Sequence, residues 1–140
     1  MSSLEPINIR VWNNEFEKDI KKYGMDGEAI PHSIFMHAED KGDGKGEASV
    51  SYTLPMKSLA FQASVGIPEY EDPQQDPASP VTFEVLGDDK SLWKSEPITK
   101  LATFQKCTVN LDKVKTLTLR VRCQDYHWVQ AVWFGPISIE

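Results

Sequence analysis

Between Leu117 and Cys123 the chain reads LTLRVRC, so that Leu117, Leu119, Val121 and Cys123 alternate with Thr118, Arg120 and Arg122. A period of two is the mark of a β-strand with one buried face. The same period runs through INIRV (7–11), SVSYTLP (49–55), LAFQASVG (59–66), VTFEVLG (81–87) and FQKCTVNL (104–111), and SIFMHA, SLWKS and AVWFGPISIE also read as strands. One stretch departs from this pattern. In NNEFEKDIKKYG, Phe16, Ile20 and Tyr23 fall on one helical face, with Asn13 or Asn14 placed to cap and Gly24 to terminate; this predicts a short N-terminal helix of about two turns. Roughly eight strands with no alternation of strand and helix predict an all-β fold, an antiparallel β-sandwich or jelly roll.

The phases also predict the interior. Phe61, Phe83, Val85, Leu119, Val121 and Trp133 occupy the inward positions of their strands. Gly87-Asp88-Asp89-Lys90 has the residues that a hairpin needs for left-handed backbone angles. FQKCTVNL and LTLRVRC are expected to pair as neighbouring antiparallel strands, with Cys107 and Cys123 on one face as buried, reduced thiols. A bridge between them is geometrically conceivable in that pairing.

A chain of 140 residues has room for one such core, so residues 1–140 are read as a single domain. Its net charge of −6 argues against nucleic acid or an anionic membrane as partner, since both need clustered Lys and Arg. No apolar run approaches the roughly 20 residues that span a bilayer, and MSSLEPINIR lacks the pattern of a secretory signal. The expectation is therefore a cytoplasmic protein if the chain is complete and an extracellular one if it is a piece of an exported protein.

The order of the motifs resembles the NPCBM family of carbohydrate-binding modules. VTFEVLGDDKSLWKS is similar to that family's V-F-V-x-x-D-G-x-x-L-W-x-S hairpin. SIFMHAED followed by SVSYTLP resembles its G-I-G-x-H-A strand and the I-x-Y-x-L strand after it, with His37 and Ala38 at the His-Ala position. LAFQASVGI resembles F-x-A-x-V-G-I-D, and LTLRVRC with AVWFGP resembles the closing L-x-L-x-V and A-x-W-x-x-P segments. The resemblance implies a galactose-binding-like β-sandwich, a non-catalytic lectin-like module that recognises terminal galactose or related sugars, and in some members a structural calcium ion.

Sugars are held by an aromatic face against ring C–H groups and by charged or amide side chains on the hydroxyls. Trp128, out of phase with the strand of Ala131 and Trp133, is the candidate stacking residue. His37, Arg122, Tyr126, His127 and Glu69 are the candidate polar contacts, Glu69 opening an acidic, proline-rich loop that ends at Pro80. Asp40, Asp43 and Glu47 do not follow the spacing of a calcium loop, so no metal or other cofactor is expected there. Neither a nucleophile elbow nor a zinc or phosphate-loop motif is present, and no enzyme activity is expected. The alternative is an intracellular protein-interaction sandwich that keeps the fold and has lost sugar binding. The sequence leaves the oligomeric state open.

Overall fold

A computed structural model describes residues 6–11, 16–18, 33–40, 45–55, 58–67, 76–77, 79–125 and 130–139. The strands are β1 (Asn8–Arg10), β2 (Phe16–Lys18), β3 (Ile34–His37), β4 (Glu39–Asp40), β5 (Gly46–Thr53), β6 (Ala60–Gly66), β7 (Val81–Gly87), β8 (Lys90–Lys94), β9 (Phe104–Asn110), β10 (Thr116–Cys123) and β11 (Gln130–Ile139). They form two sheets. The first has the order β1-β5-β10-β7-β8, with β4 also on β5, and the second the order β2-β3-β11-β6-β9. Every named pair is antiparallel. This is the all-β sandwich that the alternation predicts.

Each sheet turns its apolar phase inward. Val50 and Tyr52 of β5, Phe83 and Val85 of β7, and Leu119 and Val121 of β10 meet Phe61 and Val65 of β6 and Trp133 of β11, all fully buried. The expected core residues are thus all in the core. Trp133 crosses the interior, meeting Phe61 of its own sheet edge-on at 6.2 Å and Phe83 of the facing sheet at 5.3 Å. A smaller cluster of Phe35, Val132 and Phe134 covers the outer face of the second sheet.

Two expectations are corrected. Phe16–Lys18, inside the predicted helix, is a strand that pairs with Ile34–Met36 of β3, and no helix occurs among the described residues. The helical spacing of three apolar residues is a weak local preference, and the ladder hydrogen bonds offered by an open strand edge override it; the other residues of that segment lie outside the described ones. Second, β9 and β10 do not pair. β9 lies on β6 in the second sheet and β10 between β5 and β7 in the first, so Cys107 and Cys123 reach the core from facing sheets. Alternation fixes which face of a strand is buried and leaves its neighbours open.

Both cysteines are free and buried. Burial pushes the Cys107 thiol up to about 12; burial, aided by the Asp125 charge and opposed by a Gly46 backbone contact, pushes Cys123 up to about 11. A folded value raised above the unfolded one gives stability that is complete below about pH 9 and is lost as the pH climbs toward the folded values, at up to about 1.4 kcal/mol per pH unit per thiol. Urea unfolding midpoints measured between pH 8 and pH 11 are expected to fall more steeply for the native chain than for a Cys107→Ala, Cys123→Ala double variant.

The β7–β8 hairpin turns as predicted, with Asp88 at φ 48° and Asp89 at φ 66°. Asp88 has a second task. Its carboxylate accepts from the backbone N–H of Thr116 at 2.9 Å and of Lys115 at 3.1 Å, fixing the start of β10. In the V-G-I segment, Gly66 lets β9 approach: a Cβ there would stand 2.5 Å from the Thr103 carbonyl oxygen and collide with the Phe104 ring.

Candidate functional site

The registers bring one set of strand ends to a common rim. In the first sheet, Cys123 at the end of β10 pairs with Gly46 at the start of β5 and Val81 at the start of β7. In the second, Gln130 at the start of β11 pairs with His37 at the end of β3, and Gly66 at the end of β6 pairs with Val132 and Phe104. The two rims meet because Ala38 alone separates β3 of one sheet from β4 of the other. Three of the connections that open here are 38–45, 67–80 and 124–129, and the β8–β9 connection, 95–103, opens beside them. They contain, or adjoin, every candidate sugar contact. Glu69, Tyr126, His127 and Trp128 lie outside the described residues, as does Asp43; His37 and Arg122 are described.

The ends of two of these connections are tied together. The Ser79 hydroxyl accepts from the backbone N–H of Gln124 at 3.1 Å and of Asp125 at 2.8 Å, and donates to the Asp125 carbonyl at 3.3 Å. Asp76 accepts from the Leu101 N–H at 2.9 Å, which anchors the same loop a second time. Ser79 is a positioning residue that the sequence reading missed; its signal is a lone hydroxyl between Ala78 and Pro80, at the end of a proline-rich loop.

His37 is buried, with Nδ1 2.8 Å from the Ala38 carbonyl oxygen, so Nδ1 carries the proton in that bond. Alternation puts it on the face of Phe35, the outer side of the second sheet. Arg122 stands on the outer face of the first sheet, opposite Val121 and Cys123 in phase. Facing sheets lie about 10 Å apart, so the two side chains serve different flanks of the rim.

The Arg122 flank carries a chain of ion pairs along the outer face of the first sheet. Arg122 Nε donates to Glu47 Oε1 at 2.9 Å, and Arg120 Nε lies 3.9 Å from the same oxygen. Arg120 also holds Glu84 through both Nε, at 3.0 Å, and Nη2, while Lys94 stands 3.7 Å from Glu84. Burial raises the Glu84 carboxyl, but the Ser91 hydrogen bond and the bond and charge of Arg120, with Lys94 adding its charge, hold it below the usual value. Glu47, read from sequence only as a cation ligand that fails the spacing, is instead the partner of Arg122. Beside it opens a cleft of about 460 Å³, lined by Lys45, Glu47, Thr82, Arg122 and Gln124, with Pro80 and Pro97 as apolar walls. Of these only Arg122 is marked by the sequence reading as a binding residue.

The sequence profile of the NPCBM/NEW2 domain matches residues 12–136. The chain belongs to the NPCBM/NEW2 family. No curated protein sequence matches this NPCBM/NEW2 chain. Among solved structures it is similar to the CBM51 of Clostridium perfringens GH95 in complex with methyl-galactose, at 19% identity and a TM-score of 0.72, covering 99% of this chain and 97% of that one. It is also similar to a structure of CBM51-2, in complex with GlcNAc, and INT domains from Clostridium perfringens ZmpB (18% identity, TM-score 0.73, 98% of this chain and 30% of that one). A third holds the M60 catalytic domain with CBM51-1 and CBM51-2 of ZmpB (20% identity, TM-score 0.72), of which this NPCBM/NEW2 chain spans 15%. These likenesses establish the sandwich fold.

Proposed function

We propose that this chain is a non-catalytic carbohydrate-binding module that recognises a terminal galactose or a related sugar at the rim where the connections 38–45, 67–80 and 124–129 open. The opening of those three connections at one rim supports the reading, because between them they contain a tryptophan and several charged residues that lie far apart in sequence. Family membership supports the carbohydrate-binding reading, and the galactose type is suggested by the similar structure in complex with methyl-galactose, which this chain covers over nearly its whole length. In this reading Trp128 stacks on the sugar face. Arg122 and His37 hold hydroxyls from the two flanks, so that a ligand of more than one ring engages both, while Glu69, Tyr126 and His127 supply further polar contacts.

Stacking needs the flat indole and excludes water, whereas a loop residue adds little to the fold. Trp128→Ala is therefore expected to abolish most binding while leaving Tm nearly unchanged. Tryptophan fluorescence titrated with galactose, N-acetylgalactosamine, lactose and N-acetylglucosamine measures this. If N-acetylglucosamine alone perturbs the native spectrum, the galactose assignment fails and the module reading stands. No response to any of the four at tens of millimolar, about the weak end of single-site affinity, overturns both.

A further inference from the structure

We propose that the cleft beside Arg122 binds the carboxylate of an acidic sugar, a hexuronate-type residue. This rests on the carbohydrate-binding reading above and names its ligand class.

The guanidinium is braced on one side only. Its Nε is taken by Glu47, which also neighbours Arg120, and Arg120 is held in turn by Glu84. Glu47 is therefore fixed from two directions, and it fixes Arg122. The two terminal nitrogens of Arg122 have no partner among the described residues, and the side chain is 55% exposed toward the cleft that it lines. A guanidinium held at Nε still presents a fork of parallel N–H donors, whose spacing matches the two oxygens of a carboxylate.

Charge points the same way. Among the described residues, the charged side chains lining the cleft are Lys45, Glu47 and Arg122, two of them cations on a chain whose net charge is −6. Thr82 and Gln124 add uncharged donors and acceptors for hydroxyls, and Pro80 and Pro97 give apolar walls for ring C–H groups. That mixture suits a polyhydroxylated ring bearing one carboxylate better than a bare anion.

The test compares matched pairs that differ only at C6, galactose with galacturonic acid and glucose with glucuronic acid, by calorimetry at pH 7 and low salt. Acetate serves as a carboxylate without a ring. Because charge-assisted hydrogen bonds are about twice as strong as neutral ones, the acid of the preferred pair is expected to bind about tenfold more tightly than its neutral partner. That preference is expected to shrink as salt is added and to disappear in Arg122→Gln, with Arg122→Lys, which keeps the charge and loses the fork, in between. Arg122 is exposed, and an unchanged Tm confirms that the variants are folded. Neutral sugars binding as tightly as their acids, a preference that survives Arg122→Gln, or acetate binding as well as the hexuronates would each overturn the acidic-sugar inference and leave the module reading intact. Binding of none of the four sugars overturns the acidic-sugar inference and the galactose assignment together, and the N-acetylglucosamine titration above then decides the module reading.

Discussion

Trp133→Ala is expected to destabilise the protein by about 3–5 kcal/mol, the usual cost of deleting a large aromatic from a closed core. The high end applies here. Trp133 is fully buried, and its ring meets Phe61 of its own sheet and Phe83 of the opposite one, so the deletion removes a contact between sheets as well as one within a sheet. Antiparallel ladders hold strands within a sheet and do nothing across the gap, where side-chain interdigitation alone joins the layers. Denaturant unfolding gives the measurement. An unchanged midpoint would mean that Trp133 is not the pin between the sheets.

The second large effect concerns Glu84 and Arg120. Removing one partner of a largely buried ion pair leaves an uncompensated charge, which costs about 3–5 kcal/mol. For Arg120→Leu we expect about 3 kcal/mol, the lower end of that scale, because Lys94 and Ser91 still face Glu84. The pH dependence identifies the cause. In the native protein the Glu84 carboxyl is held below its ordinary value, so its contribution is present above the unfolded value and is lost as the pH falls through the folded one. In Arg120→Leu the burial remains and the compensating charge is gone, so Glu84 takes up a proton more easily and the deficit against the native chain narrows on acidification. The double variant Glu84→Gln, Arg120→Leu is expected to recover most of the loss at pH 7. A deficit that does not change with pH would assign the cost to lost packing of the arginine stem instead.

The strands and their inward phases were legible because burial of one face writes itself into every second residue; LTLRVRC states its core and its outer face outright. The hairpin at Asp88-Asp89 was legible for a local reason, since few residues tolerate left-handed angles. Sheet membership was not. FQKCTVNL and LTLRVRC are consecutive and complementary in pattern, yet each pairs elsewhere, because alternation carries no information about which partner satisfies the ladder. The strand at Phe16–Lys18 was hidden for a related reason: what makes it a strand is the edge of β3, which lies beyond any local window. At the rim, the outward phase of Arg122 was readable, but its partner Glu47 lies 75 residues away in sequence and becomes a neighbour only through the β5–β10 register. The cleft likewise draws on three strands and Pro97, and no contiguous segment announces it.

The directions of the first and last strands give the domain a polarity. Asn8 of β1 pairs with Ser51, toward the end of β5 remote from Gly46, and Ile139 of β11 pairs with Ala60, at the start of β6. Both extremities of the folded body therefore emerge at the pole opposite the one where the three connections open. A tether joined to either extremity runs off the back of the sandwich, leaving the front unobstructed. Copies strung along a scaffold, or fixed to a surface by either extremity, would each turn the same pole outward, which on the proposed reading lets several engage one branched or polymeric glycan at once and gain avidity.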